Sequence, residues 1–324
     1  MHILRELQAV IAKRITEIKF GDEPVELYEP INYILSLGGK RLRPAFCLLS
    51  CDMFGGNTEE ALDPAIGIEM FHNFTLLHDD IMDHAPIRRG QPTVHVKWDT
   101  NRAILSGDTM MARAYDFIMR APEKVRFEVF SSFNKTAIEV CEGQQYDMNF
   151  ENRKEVSIDE YIEMIRLKTA VLVAVSLKIG AMIANANKED AETIYLFGEN
   201  LGIAFQLRDD LLDVFSDEKK FGKTTGGDIL ENKKTFLFLK ALEGADKEQK
   251  ATLLHLFSQT ETDPDSKIAV VKDIYEALKI KEQTNAEIDR YYQKAMEHLN
   301  RISIPQHRKS ELLGFAGLLK KRDK

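Results

Sequence analysis

Apolar residues in the middle of the chain recur with the spacing of α-helices. About 140 residues between Pro122 and Pro264 contain no proline. Within them, Tyr161, Met164 and Ile165 show the three- and four-residue spacing that places side chains on one helix face. The β-branched residues do not alternate as they would in half-buried strands. This pattern predicts long packed helices and an all-α fold.

Short polar segments mark the predicted helix ends. They lie at 152–157, 185–189, 216–227 and 244–248. Ser157, with Glu160 three residues later, has the spacing of a capping box, which predicts that a helix begins there. A polar loop is predicted at 258–267, followed by two helices at roughly 266–301 and 307–320.

The composition is typical of a globular protein. Of the 324 residues, 44% are hydrophobic and 30% are charged, so a sizeable core is feasible. No Gly/Ser-rich linker separates two domains, and we predict one domain over residues 1–324. Residues 1–20 carry charges in every turn, and no apolar run of about 18 residues occurs. We therefore expect neither a signal peptide nor stable membrane insertion, and predict a cytoplasmic location.

Net charge and cysteine content narrow the possible partners. The net charge of −8 argues against nucleic acid as the main partner, although local basic pockets remain possible. Three cysteines form no paired framework, and Cys47 and Cys51 lack the additional His or Cys residues of a zinc site. We expect these thiols to be reduced and structural.

Two aspartate clusters with the same spacing carry the main chemical signal. They are Asp79-Asp80-Ile81-Met82-Asp83 and Asp209-Asp210-Leu211-Leu212-Asp213. On a helix, Asp79 shares a face with Asp83, and Asp209 with Asp213. A single acidic run is most often a solvated face, but both clusters follow apolar runs, and like charges there require a cation. Magnesium is the natural candidate because it combines a few carboxylates with water and phosphate oxygens.

Basic residues at three places suit phosphate binding. Gly38-Gly39 precedes Lys40, Arg41 and Arg43 at a predicted helix junction, where these cations would also complement the dipole of the preceding helix. The Arg88-Arg89 pair suits bidentate binding of phosphate. The third set is Lys168, Lys223, Lys233 and Lys234.

Seven motifs follow one another along the chain. They are GGKRLRP at 38–44, HNFTLLHDDIMD at 72–83, RRGQPTVH at 88–95, GQQYD at 143–147, KT at 168–169, FQLRDDLLD at 205–213 and FGKTTGGDILENKKT at 221–235. In these motifs the chain resembles the trans-isoprenyl diphosphate synthases of the polyprenyl synthetase family over nearly its full length. The resemblance implies one large helical bundle with a central cavity between long helices.

The resemblance also implies the binding residues. Magnesium, about three ions per site, is implied at Asp79, Asp80, Asp83, Asp209, Asp210 and Asp213. The diphosphate of isopentenyl diphosphate is implied at Lys40, Arg43, His72 and Arg89. The diphosphate of the allylic substrate is implied at Arg88, Lys168, Lys223 and Lys233. On a continuous helix, His72 would lie two turns, about 10 Å, before Asp79 on the same face.

The implied reaction is ionisation, condensation and elimination. Fixed cations would stabilise the departing diphosphate, and the double bond of isopentenyl diphosphate would attack the allylic carbocation before a proton is lost to the released diphosphate. Lys168 and Lys223 are implied as catalytic residues, together with Thr169 and Gln206, whose oxygens would lie near the carbocation. Without the motifs, Thr169 and Gln206 would be read as ordinary hydrogen-bonding residues of helices.

Product length is implied by the residues that precede the first aspartate cluster. Phe74 lies five positions before Asp79, where short-chain members of the family carry an aromatic residue, Phe71 lies one turn deeper, and Thr75 is small. This combination resembles members with a twenty-carbon product, followed by those with fifteen carbons. Ideal helix geometry would place Thr75, rather than Phe74, below Asp79. Ordinary core packing of both phenylalanines stays open as an alternative.

Two competing interpretations concern the second aspartate cluster. A terpene cyclase shares the helical fold, but it usually carries an Asn/Ser/Glu motif in place of the second cluster. A catalytically silent subunit would be expected to lose one cluster, and this chain retains both. From the family we also expect a homodimer. The basic tail at 318–324 is a candidate lid over the site.

Overall fold

In the computed structural model, residues 2–216, 225–258 and 263–320 are described, and helices dominate them. The first helices are α1 (His2–Glu17), α2 (Val25–Ser36), α3 (Leu42–Met53), α4 (Thr58–Met82), α5 (Val94–Lys97) and α6 (Thr100–Ile118). Between α4 and α5, strands β1 (Ile87–Arg88) and β2 (Gln91–Pro92) form a small antiparallel hairpin in which Ile87 lies opposite Pro92.

The remaining elements are also helical. They are α7 (Arg126–Asn152), α8 (Ile158–Ile165), a π-helical turn (Arg166–Ala170), α9 (Val171–Ile183), α10 (Lys188–Phe215), α11 (Gly227–Leu230), α12 (Phe236–Gly244), α13 (Lys247–Leu256), α14 (Pro264–Ala277), α15 (Ile280–Arg301), a 3₁₀ helix (Gln306–Lys309) and α16 (Ser310–Lys320). Apart from the β1–β2 hairpin, no strand occurs in the described residues. The predicted all-α fold is confirmed.

The chain divides into two compact units. The first unit comprises residues 1–135, 175–195 and 303–311, and the second comprises residues 136–174, 196–302 and 312–324. Each unit is formed by segments that are distant in the sequence. The single domain predicted over residues 1–324 stays a prediction.

In the first unit, α4 packs closely against α6 through glycines. A Cβ atom at Gly67 would lie 2.8 Å from the backbone oxygen of Ala114, and one at Gly107 would lie 2.3 Å from Nε2 of His78. A larger residue at Gly67 would push the two helices apart, whereas one at Gly107 would displace the His78 ring. Because α4 is continuous, His72 and Asp79 lie on one helix, as the sequence predicts.

In the second unit, α8 and α10 contribute to one apolar core. Leu207 of α10 and Leu237 of α12 are fully buried in it, as is Tyr275 of α14. Helix α8 is fixed at its start by Ser157, whose Oγ accepts a hydrogen bond from the Glu160 N–H at 3.2 Å, while Glu160 Oε2 accepts one from the Ser157 N–H at 2.9 Å. The predicted capping box is therefore confirmed.

The helix breaks predicted earlier in the chain agree with the structure. Helix α7 ends at Asn152 and α12 at Gly244, while α10 begins at Lys188. The predicted break at 216–227 includes residues 217–224, which lie outside the described residues.

Two boundaries predicted nearer the carboxyl end are wrong. The loop predicted at 258–267 overlaps α14, which already begins at Pro264. The single helix predicted at 266–301 is two helices, because α14 ends at Ala277 and Lys279 adopts a left-handed backbone conformation with φ 54°. One left-handed residue redirects the chain without changing the apolar spacing on either side, so the periodicity did not reveal it.

None of the helices within the described ranges combines the length with the apolar character that crossing a bilayer requires.

Candidate active site

The first aspartate cluster lies at the carboxyl end of α4 in the first unit. Asp79 is half-buried, Asp83 follows the helix end and is exposed, and Asp80 is buried. Arg88 of β1 donates from Nε to both carboxylate oxygens of Asp80 at 2.8 and 2.9 Å, and its Nη2 lies 2.7 Å from Oδ1. Burial raises the pKa of Asp80 against the lowering effect of Arg88. The middle carboxylate of this cluster is thus bound by a protein cation.

His72 and Arg43 form the next part of the site. Arg43 lies near the start of α3, and its Nη1 is 3.1 Å from His72 Nε2. Burial lowers the pKa of His72 well below its ordinary value, and the charges of Arg43 and Arg89 lower it further. A neutral His72 has one ring nitrogen free to accept the Arg43 hydrogen bond. The structure therefore brings together two of the residues predicted to bind isopentenyl diphosphate.

Arg89, in the turn between β1 and β2, contacts the loop between α2 and α3, which carries Lys40. Arg89 Nη1 donates to the backbone oxygen of Gly38. A Cβ at Gly39 would lie 2.8 Å from Arg89 Nη2, so Gly39, at φ 134°, leaves room for the guanidinium. Lys40, the next residue, is exposed. All four predicted ligands of this diphosphate thus lie in the first unit, around the loop and α4.

The predicted chain-length residues belong to an aromatic cluster below the first aspartates. The Phe74 ring lies 5.6 Å from that of Phe71 and 4.7 Å from that of His78, measured between ring centroids. Phe71 is completely buried and also contacts Phe133, whereas Phe74 is 7% exposed. Thr75 Oγ1 donates to the backbone oxygen of His72 at 2.8 Å. Phe71 is thus more completely buried than Phe74, and the effect of both residues on product length stays a prediction.

In the second unit, the second aspartate cluster lies in the last two turns of α10. Asp210 is buried and accepts hydrogen bonds from the Tyr161 hydroxyl and from Gln206 Nε2, the latter at 3.0 Å. The Thr169 hydroxyl donates to Gln206 Oε1 at 3.2 Å. Burial raises the pKa of Asp210, and the charge of Asp228 raises it further. Four side chains from three helical elements therefore form one continuous hydrogen-bonded chain.

A cavity of about 140 Å³ opens beside this chain of hydrogen bonds. It is lined by most of the predicted catalytic and allylic-substrate residues that lie in the second unit. Its polar lining includes Asp147, Lys168, Thr169, Gln206, Asp210, Asp228 and Lys233. These residues are distant in the sequence, and only the fold places them around one space.

Lys168 reaches the cavity from the π-helical turn. Its ammonium lies 2.5 Å from Asp147 Oδ2 of α7. Gly143 permits this approach, because a Cβ there would lie 2.3 Å from the backbone nitrogen of Lys168. A π-turn inside an otherwise α-helical segment is rare and often marks a functional site. Here it places Lys168 and its neighbour Thr169 on the same cavity.

The residues after the second cluster add two carboxylates and two lysines. The Asp228 N–H donates to Asp213 Oδ2 at 3.0 Å. Lys233 lies 2.6 Å from Glu231 and 3.9 Å from Asp228. Lys234 instead donates to the backbone oxygen of Phe150 at 2.6 Å, which ties it to the end of α7. Lys223, and residues 321–324 of the predicted basic lid, lie outside the described residues.

The carboxylates present fit a divalent cation. Burial raises the pKa of Asp213 and Asp228 as well as that of Asp210, so negative charge is unfavourable here without a cation. Within residues 2–216, 225–258 and 263–320, no three His, Cys, Asp or Glu side chains could hold a metal ion by themselves. Magnesium commonly binds one or two carboxylates and completes its coordination with water and substrate phosphate.

Sequence reasoning missed three residues that shape this site. Asp147 pairs with Lys168, Tyr161 donates to Asp210, and Asp228 lies between the second cluster and Lys233. Asp147 lies in the motif GQQYD and Asp228 in the motif FGKTTGGDILENKKT. Their positions in these two motifs could have identified them as site residues. Tyr161 had no signal beyond its apolar spacing, because a buried tyrosine is more often a core residue.

Comparison with known proteins identifies the family. Residues 24–278 match the family model described as polyprenyl synthetase. Geranylgeranyl diphosphate synthase of Methanosarcina mazei is 41% identical over 264 residues, covering 81% of this chain and 80% of that protein. The enzyme of the same name from Sulfolobus acidocaldarius is 40% identical over 300 residues, covering 91% and 89%. A crystal structure of a geranylgeranyl pyrophosphate synthase superposes with a TM-score of 0.94 at 44% identity, covering 99% of both chains. This chain belongs to the polyprenyl synthetase family.

Proposed function

We propose that this chain condenses isopentenyl diphosphate with dimethylallyl, geranyl and farnesyl diphosphates and releases geranylgeranyl diphosphate, with farnesyl diphosphate as the alternative end product. It is a transferase of the isoprenyl diphosphate synthase type. The names of its relatives support a twenty-carbon product. The observation that carries the proposal is the cavity where Lys168, Thr169 and Gln206 meet the second aspartate cluster.

Lysines at the cavity would stabilise the departing diphosphate. In the first step, the bond between C1 of the allylic substrate and its diphosphate oxygen breaks, and both electrons leave with the oxygen. Lys168 and Lys233 line the cavity with their ammonium groups held by Asp147 and Glu231. Fixed charges of this kind stabilise developing negative charge without reorganising. Arg88 and Lys223 are proposed to act on the same diphosphate.

Thr169 and Gln206 would face the allylic carbocation. The Thr169 hydroxyl hydrogen is donated to Gln206, so the lone pairs of Thr169 Oγ1 remain available for positive charge. Gln206 is in turn oriented by Asp210. Oxygen dipoles that the protein holds in fixed orientations would stabilise positive charge developing on the substrate.

The second substrate would bind in the first unit. Lys40, Arg43, His72 and Arg89 are proposed to hold its diphosphate. The double bond of isopentenyl diphosphate then forms a new carbon–carbon bond to C1 of the allylic cation, and loss of a proton from the adjacent carbon to the released diphosphate restores a double bond. Neutral His72 fits a binding role, because it can donate a hydrogen bond to a phosphate oxygen from its second ring nitrogen.

Enzymes of this family use a divalent metal ion, and we propose magnesium, about three ions per site. When bound, it would neutralise diphosphate oxygens as a Lewis acid. Asp79, Asp80 and Asp83 would hold it in the first cluster, and Asp209, Asp210 and Asp213 in the second. Asp80 also accepts hydrogen bonds from Arg88, and Asp210 from Tyr161 and Gln206, which would orient the two clusters.

We also propose a cytoplasmic homodimer. On α6, Leu105 is 59% exposed and Ile104 is 40% exposed, and at the start of α7 Phe127 is 76% exposed. These three large, exposed apolar side chains on the first unit support contact with a second copy of the chain.

A product-length assay tests the proposal. Purified protein would be incubated with magnesium, radiolabelled isopentenyl diphosphate and each allylic primer in turn, and dephosphorylated products would be separated by length. A sharp twenty-carbon product is expected. Longer products would keep the reaction and reject Phe74 as the limit to chain length. No elongation with any primer would favour a silent subunit, and a cyclic hydrocarbon would favour a terpene cyclase.

A further inference from the structure

Arg41 is the one buried basic residue of the segment Lys40–Arg43, since Lys40 is exposed and Arg43 is half-buried. It has a left-handed backbone with φ 46° at the residue before α3, and its side chain is 6% exposed. The guanidinium donates to Glu69 Oε1 through Nη1 and to the backbone oxygen of Leu35 through Nη2, the latter at 2.5 Å. It therefore links the end of α2, the start of α3 and the middle of α4.

Glu69 is buried at the other end of this contact, one turn before His72. Its side chain is 3% exposed. Asn73 Nδ2 donates to the backbone oxygen and to Oε1 of Glu69, each at 2.8 Å. Asn73 is itself fully buried. Asn73, on the same helix, thus orients the Glu69 carboxylate independently of Arg41.

The segment between α2 and α3 has further tethers. Arg89 donates to the Gly38 backbone oxygen and Gln8 to the Lys40 backbone oxygen. Both contacts involve exposed groups, whereas the Arg41–Glu69 contact is buried. Leaving either member of a buried ion pair unmatched is far more costly than losing an exposed contact. The pair is therefore a stronger restraint on this segment than either exposed contact.

We propose that Arg41 and Glu69 are positioning residues that align Lys40 and Arg43 with His72 for the diphosphate of isopentenyl diphosphate. Neither residue reaches the substrate. Arg43 is two residues from Arg41, and His72 is three residues from Glu69, so the pair fixes the distance between the two ligands that already meet at 3.1 Å. The proposal rests on the proposed function, which assigns this diphosphate to these residues.

The test separates alignment from simple stability. Glu69→Gln keeps the shape of the side chain and an oxygen for Asn73 but removes the charge that faces Arg41. We expect the KM for isopentenyl diphosphate to rise about tenfold, equivalent to about 1.4 kcal/mol. The KM for the allylic primer and the kcat should change by less than about twofold. A residue that only stabilised the fold would lower the amount of active enzyme and leave both KM values unchanged.

Two further variants complete the experiment. Asp63→Asn is the matched control, since Asp63 also lies on α4 but forms its ion pairs with Arg14 and Arg120 at the surface, at 3.0 and 3.1 Å. Its KM values should match those of the unsubstituted protein. Arg41→Lys keeps the buried charge but loses the planar guanidinium that donates to Glu69 and Leu35 at the same time. It should therefore raise the KM for isopentenyl diphosphate by about threefold. If circular dichroism shows that Glu69→Gln does not fold, the KM values of Arg41→Lys test the positioning role instead.

The outcomes are distinct. A folded variant of the pair with an unchanged KM for isopentenyl diphosphate, or with both KM values raised equally, would overturn the positioning role. Failure of the unsubstituted protein to elongate any primer would instead overturn the proposed function, because the KM comparison would then have no reaction to report on.

Discussion

Neighbouring carboxylates in this protein have different partners. In the first cluster, Asp80 is buried against Arg88, while Asp83, three residues later, is exposed. In the second, Asp210 is buried against Tyr161. The spacing of the aspartates predicts which of them share a helix face, but it does not show which oxygens are already satisfied by protein donors.

Asp79→Ala and Asp209→Ala should each remove most turnover. Each variant deletes a proposed magnesium ligand from a position that does not build the apolar core, so the helical fold should survive. Steady-state elongation and far-ultraviolet circular dichroism would be measured together. Near-normal turnover in either folded variant, at saturating magnesium, would contradict the assignment of that aspartate.

Phe74→Ala should lengthen the product by at least one five-carbon unit. Removing this ring would open space above the fully buried Phe71 without touching a diphosphate ligand. Product length would be compared with that of Leu254→Ala, which removes an apolar side chain from an exposed position of α13. Identical product distributions in the two variants would mean that the limit lies elsewhere, with Phe71 the next residue to test.

At the scale of helices, ends that are marked by a side-chain hydrogen-bonding motif were predictable from the sequence. Changes of backbone conformation within or between helices were not. The Ser157 capping box was readable because both partners are encoded three residues apart. The left-handed Lys279 was not, since lysine does not favour that conformation and only tertiary packing selects it. The π-helical turn at Arg166–Ala170 was missed for a related reason: apolar residues continue through it.

Asp190, near the start of α10, should stabilise the first unit in a pH-dependent way. Its carboxylate accepts from the Ser303 N–H at 2.9 Å, the Ser303 hydroxyl at 2.5 Å and Asn187 Nδ2 at 2.8 Å. Burial raises the pKa of Asp190, but these hydrogen bonds outweigh burial and lower it. The resulting stability is present above the ordinary aspartate pKa of about 3.9 and is lost as the pH falls through the lowered value.

Asp190→Ala should therefore lower the free energy of unfolding by about 1–3 kcal/mol at pH 7. The difference from the unsubstituted protein should shrink at about pH 3. Urea unfolding at both pH values measures it, with Glu189→Ala, an exposed neighbour, as the control. A difference that is independent of pH would show that packing, rather than the carboxylate charge, is what the variant loses.

For the whole molecule, helical class and family were within reach of the sequence, and the arrangement of distant segments was not. Seven ordered motifs indicated the family that the comparisons then showed. Nothing in residues 175–195 or 303–311 indicates that both pack in the same unit as residues 1–135. Likewise, the motifs name Lys168 and Gln206, while Tyr161 joins them only because folding brings α8 beside α10.

Leu105→Glu should convert the proposed homodimer to monomers. A charge on this exposed apolar position of α6 would be desolvated by a second copy. Size-exclusion chromatography with light scattering would measure the mass. Ala251→Glu, which adds the same charge to an exposed position of α13, should leave the mass unchanged. Retention of the dimer by Leu105→Glu would place the contact on another face.

The π-helical turn makes the register of α9 depend on where a change in chain length falls. Such a turn accommodates one residue more than the α-helical turn it replaces. Deleting one residue within Arg166–Ala170 would restore a regular helix and leave the later residues on their faces, whereas the same deletion within α9 would rotate every later residue by about 100°. An alignment with a synthase that lacks the turn would need a one-residue gap here, and placing that gap a few positions away would pair residues from opposite helix faces.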